Sequence, residues 1–236
     1  GQSLLPTLNM RLSSPSVLID IGSINELKKI KVEDSYLIMG AMCSHSQIMS
    51  NKEVNEKLPI LKNILAQVAH PAIRNKGTHG GSIAYGDPAA ELPAFAVLVN
   101  AEIILSGPNG ERTVPAKEFY KGLFETAINS DEILTSVKYP INQNGMKLFF
   151  DEVTRRHGDY AMAGLVGSIK QNNKINEEIN LVFFGTGDRP NEAPKTCEYL
   201  LKNEYNYSDI RDILKNDIDF ASDISSSPDM NCLLYT

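Results

Sequence analysis

Tryptophan is absent from the 236 residues, and cysteine occurs only at Cys43, Cys197 and Cys232, far apart and odd in number. A disulfide framework is therefore not expected, and a reducing, cytoplasmic setting is. The cysteines are expected to be small core residues. No Cys-x-x-Cys pair occurs, so the chain lacks the thiolates for an iron–sulfur cluster of its own. The four histidines, His45, His70, His79 and His157, have no metal-ligand spacing, and no metal site is expected. Apolar runs such as 94–101 fall far short of the ~20 residues that a membrane span needs. Lysines and arginines are scattered, and a net charge of −6 provides no electrostatic footprint for nucleic acid or an anionic membrane. The chain also lacks an initiating methionine. Gly1-Gln2-Ser3-Leu4-Leu5-Pro6 reads as the middle of a loop, so a fragment missing its opening strand and helix is expected.

What remains reads as an α+β chain. The β-branched run 17–21, bounded by Pro15 and Gly22, predicts a buried strand, and 36–41 a second. Ser44 or Ser46 is placed to cap a helix around 45–49. Apolar residues at 58, 60, 61, 64, 65 and 68 predict a helix over 58–68, ended by Pro71. Residues 73–87 read as a glycine-punctuated loop and 91–100 as a buried helix. A strand over 101–106, a turn at 107–110, a short helix over 117–120 and a strand over 132–139 follow. The polar stretch 142–145 is a candidate linker between domains at 1–140 and 146–230. Strands are predicted over 147–155, 164–170 and 179–185, and helix over 193–214.

The densest signal is Ile73-Arg74-Asn75-Lys76-Gly77-Thr78-His79-Gly80-Gly81-Ser82-Ile83-Ala84, followed by Asp87-Pro88-Ala89-Ala90-Glu91-Leu92-Pro93. Gly77, Gly80 and Gly81 let backbone N–H groups converge, because no Cβ blocks close approach, and Thr78 and Ser82 add hydroxyls. Such a nest suits a diphosphate; a tight turn that needs glycine for geometry alone fits equally well. A P-loop is excluded, since no Lys-Ser/Thr pair follows the glycines.

These motifs, with Gly1-Gln2-Ser3 ahead of them, resemble the FAD-binding medium subunits of molybdenum hydroxylases, the family of the carbon monoxide dehydrogenase medium chain and the xanthine dehydrogenase flavin domain. The resemblance continues through Asp131-Glu132-Ile133-Leu134 and Arg155-Arg156-His157-Gly158-Asp159-Tyr160-Ala161. It implies a PCMH-type FAD fold of two α/β lobes, followed by a small C-terminal sheet with helices. It implies FAD as cofactor, held by Gly1, Gln2, Ser3, Gly77, Thr78, His79, Gly80, Gly81, Ser82, Asp87, Glu91, Leu134 and Tyr160. His79 is a candidate phosphate donor or covalent attachment point, and Tyr160 a candidate to stack on the flavin ring. The implied role is electron transfer, from a [2Fe-2S] small subunit and a molybdopterin large subunit to an external acceptor, with no catalytic acid, base or nucleophile in this chain. The alternatives are a free-standing PCMH flavoenzyme and a non-catalytic subunit that has lost FAD.

Overall fold

The computed structural model describes residues 1–141, 145–173 and 175–218. Two hairpins, β1 (Ile30–Glu33) with β2 (Tyr36–Gly40) and β3 (Glu102–Gly107) with β4 (Gly110–Pro115), flank a shared central strand. After a small ribbon, β5 (Tyr120–Gly122) with β6 (Glu125–Thr126), that strand is β7 (Ile133–Pro140), which gives the antiparallel order β1-β2-β7-β3-β4. β7 buries Leu134, Val137 and Tyr139, and the step of three between the first two falls at a register shift against β3.

Among the described residues, eight α-helices belong to this part of the chain: α1 (Leu4–Asn9), α2 (His45–Ser50), α3 (Lys52–Lys57), α4 (Ile60–Gln67), α5 (Pro71–Arg74), α6 (His79–Tyr85), α7 (Glu91–Leu98) and α8 (Ala116–Phe119), of which α3, α6 and α8 pack directly on the strands of this sheet. Ser44 is the cap of α2, in a full capping box with Gln47. The second sheet, β8 (Lys147–Val153), β9 (Ala163–Asn172), β10 (Ile175–Phe184) and β11 (Asn191–Glu192), has the order β11-β10-β9-β8. It is covered by α9 (Pro194–Lys202) and α10 (Tyr207–Asp217).

The helix α7 joins the two layers. Leu92, Ala94, Phe95, Ala96 and Val97 are all buried, so it is apolar on every side. Phe95 stacks on Tyr139 of β7 with ring centroids 5.6 Å apart, while the helix also packs on β9 and β10. At ~1.5–3 kcal/mol for each large apolar side chain taken out of water, this helix is a principal tie between the sheets.

Several sequence expectations change. Residues 17–21 form no strand, and Val17, Leu18 and Ile19 are exposed. Strand propensity is realised only beside a hydrogen-bonding edge, and no described strand runs next to this run. Pro71 does not end the preceding helix, which stops at Gln67; it occupies the first turn of α5, where its missing N–H costs nothing. The expected loop over 73–87 is largely helical, since α6 is nucleated by the Thr78 side chain accepting from the Gly81 N–H. β1, β4 and α3 go unseen in the sequence because they are short and polar-faced, and 193–214 is two helices. Cys43 and Cys197 are buried, whereas Cys232 and the tail lie outside the described residues. So does most of the candidate linker, at 142–144.

Candidate functional site

One cavity of about 570 Å³ lies where the chain's three motif regions meet. Gly1, Gln2 and Ser3 reach it from the start of α1; Gly77, Thr78, Gly81 and Ser82 from the turn into α6; Asp87 and Glu91 from the segment into α7; and Tyr160 from the loop after β8. Apolar walls from Leu4, Val68, Ile73 and Ala84 complete it, so a few polar groups converge in a mostly apolar hollow, as in small-molecule and cofactor sites.

The local geometry explains the wall. Arg74 sends one guanidinium nitrogen to the carbonyls of Ala66, Val68 and Ala69, at 3.3, 2.8 and 2.8 Å. These are open carbonyls of the last turn of α4 and the residues just after it, and the clamp holds Ala69 in the left-handed region at φ 45°. Gly158, at φ 86°, then lies so close that a Cβ would stand 2.8 Å from the Ala69 carbonyl oxygen. The loop carrying Tyr160 therefore closes onto the clamp, with Tyr160 itself 72% exposed at the mouth. Arg74→Met should cost about 2 kcal/mol, the worth of a charged hydrogen-bond donor to several carbonyls. A urea midpoint unchanged from wild type would refute that role.

Three carboxylates lie at the α7 side. Asp87 accepts from the Ala89 N–H at 2.9 Å, and burial raises its pKa. Burial pushes Glu91 up to about 8, with Glu152 and Asp87 adding repulsion and its own backbone N–H offsetting part. Glu152 follows Leu148 and Phe150 on the inner face of β8, and neither of its carboxylate oxygens meets a hydrogen-bond partner. Burial, then Asp151, raises it to about 7. Glu152 escaped the sequence reading because its burial follows only from the strand register.

His79, Gly80 and Leu134 do not line the cavity. The His79 ring is fully buried, its Nε2 lies 2.8 Å from the Tyr139 hydroxyl, and burial pulls its pKa down to about 3. In that position the ring serves the core and does not face the cavity. Gly80 packs against β2's end, its N–H donating to the Ala41 carbonyl at 2.8 Å. Leu134 is buried in the five-stranded sheet. His45, which sequence reasoning passed over, does line the cavity.

The residues fit a dinucleotide-sized cofactor. At Gly81 a Cβ would meet the Thr78 hydroxyl at 2.7 Å, and at Gly77 the Ile73 carbonyl at 3.1 Å, so this part of the wall is close-packed around its glycines. Buried polar nitrogens of His45 are left unsatisfied at the wall. No group of His, Cys, Asp or Glu among the described residues is arranged to hold a metal, and none of the described helices is long and apolar enough to cross a membrane.

Residues 1–142 match the family described as the FAD binding domain in molybdopterin dehydrogenase. The chain is 35% identical over 213 residues to the glyceraldehyde dehydrogenase medium chain of Sulfolobus acidocaldarius, covering 90% of this chain and 75% of that one. It is 35% identical to the carbon monoxide dehydrogenase medium chain of Hydrogenophaga pseudoflava over 78% of this chain and 64% of that one. Among solved structures, quinoline 2-oxidoreductase from Pseudomonas putida 86 superposes with a TM-score of 0.93 at 32% identity, covering 99% of this chain and 82% of that one.

Proposed function

Because the chain belongs to the family of FAD-binding domains in molybdopterin dehydrogenases, we propose that it is the flavin electron-transfer subunit of a molybdenum hydroxylase complex. FAD is the family's cofactor, and it supplies the redox chemistry by accepting electrons and passing them on. In this reading a [2Fe-2S] small subunit delivers the electrons, a molybdopterin large subunit produces them, and an external acceptor takes them, in the cytoplasm. Residues 1–140 form the FAD-binding unit and 146–230 its C-terminal companion.

The observation that carries the proposal is convergence. Segments at 1–3, 77–91 and 158–160, far apart in sequence, line one cavity. Gly1, Gln2, Ser3, Gly77, Thr78, Gly81 and Ser82 hold the diphosphate side, Asp87 and Glu91 receive hydroxyls of the cofactor, and Tyr160 covers the exposed ring edge. The chain's residues bind, orient and exclude water; none acts as acid or base on a substrate.

The FAD-loaded chain is expected to stay oxidised when mixed alone with an aldehyde, a purine or carbon monoxide. A reduced two-cluster iron–sulfur partner should bleach it within seconds, followed at the flavin absorbance bands. Rapid bleaching by one of those substrates with this chain alone would overturn the proposal in favour of a free-standing flavoenzyme.

A further inference from the structure

His45 is the first residue of α2, and its backbone is fixed twice. The Ser44–Gln47 capping box sets the helix start, and the His45 N–H donates to the Gly77 carbonyl at 3.1 Å. Its ring is only 5% exposed, lines the cavity, and lies beside Gly77, where a Cβ would stand 3.4 Å from ring Cε1. Glycine there leaves the imidazole its seat. Yet neither ring nitrogen makes a hydrogen bond of good geometry, although the Thr78 backbone lies close enough to act on the ring. Buried polar groups in folded proteins are nearly always satisfied, by protein, water or ligand. His79, buried at the start of α6, differs in that its Nε2 is taken up by Tyr139, although its Nδ1 is also without a partner.

We propose that His45 is a cofactor-binding residue, donating a ring N–H hydrogen bond to a diphosphate oxygen of FAD. The inference rests on the FAD reading above and adds a donor to it. Burial, with the nearby Arg74 charge adding to it, pulls the His45 pKa down to about 4, the Thr78 backbone offsetting part. Near neutral pH the ring is therefore uncharged, with one N–H to donate and one lone pair. A neutral donor suits this place, because it satisfies an anionic oxygen without adding a second cation beside Arg74. Thr78 and Ser82, on the same wall, add hydroxyl donors, the Thr78 oxygen also accepting from Gly81 as the α6 cap.

The test is FAD affinity, by flavin fluorescence titration of the apo chain. His45→Ala should raise Kd about tenfold, while His45→Gln, which keeps an N–H donor, should stay within about threefold of wild type. Thermal midpoints of the apo variants check that each is folded. A long-range nitrogen NMR spectrum of histidine-labelled wild type, with and without FAD, reads the same bond directly and needs no variant. One ring nitrogen of His45 should shift on binding. Unchanged affinity in a folded His45→Ala variant, equal weakening in Ala and Gln variants, or an unmoved His45 ring signal would each overturn the proposal. They would show that water satisfies the ring, or that only its shape matters. If wild type itself binds no FAD, the functional reading fails instead.

Discussion

Gly80→Val is expected to be severely destabilised, while Gly81→Ala, one residue on, should fold with near-normal stability and lose FAD. At Gly80 an added Cβ would lie 2.4 Å from the Ala41 Cβ and 2.6 Å from its Cα. Ala41 directly follows β2, and neither its backbone nor its one-carbon side chain can swing aside, so α6 must lift off the sheet. The cost is about 4 kcal/mol, above the usual range for overpacking and a large share of the ~5–15 kcal/mol that a domain has to lose. At Gly81 the new Cβ meets only the Thr78 hydroxyl, at 2.7 Å. That weakens the α6 cap, worth about 1 kcal/mol, and narrows the cavity. Circular dichroism melts and flavin absorbance after desalting separate the two. A Gly80→Val variant melting with wild type would mean that the helix and sheet are not in this contact.

The second large effect is on pH. Glu91, held at about 8, keeps its proton in the folded chain long after the unfolded chain has released it near 4.5. The folded state therefore binds more protons across that window, and this residue's contribution falls as pH rises from about 4.5 to 8. Glu152, at about 7, acts in the same direction over a shorter window. His45 and His79, held neutral down to about 4 and about 3, act oppositely below the ordinary histidine value of 6.5. Comparing Glu91→Gln with wild type cancels the histidines. The variant's advantage in the apo chain should grow from near zero at pH 5 to about 3 kcal/mol at pH 9, discounted from the full linkage value for relaxation around the carboxylate. Urea unfolding at both pH values measures it. An advantage that does not change with pH would show that Glu91 is ionised in its folded setting.

The sequence carried the site further than the local structure around it. Gly77, Thr78, Gly81, Ser82, Asp87 and Glu91 were all legible as one motif and all line the cavity. What the motif hid was its shape. His-Gly-Gly-Ser has poor helix propensity, and only the contact of Gly80 with Ala41, made 39 positions away, shows why the segment is helical and why one glycine serves packing. The same applies to His79, whose partner Tyr139 lies 60 positions on. Long, strongly apolar elements such as α7 and β7 were evident, whereas β1 and α3 are too short and polar to stand out. Residues 17–21 misled because their composition matches a strand but no edge accepts them.

Placing α7 between the layers has a consequence for how the chain comes apart. A helix with no polar side has no stable solvated state of its own, so removing either sheet exposes apolar surface that water cannot wet without cost. The step along the chain from β7 to β8 is thus a seam in sequence but not in cooperativity. Amide protons of β7 and β10 should exchange by the same global opening, and the two halves share one fate.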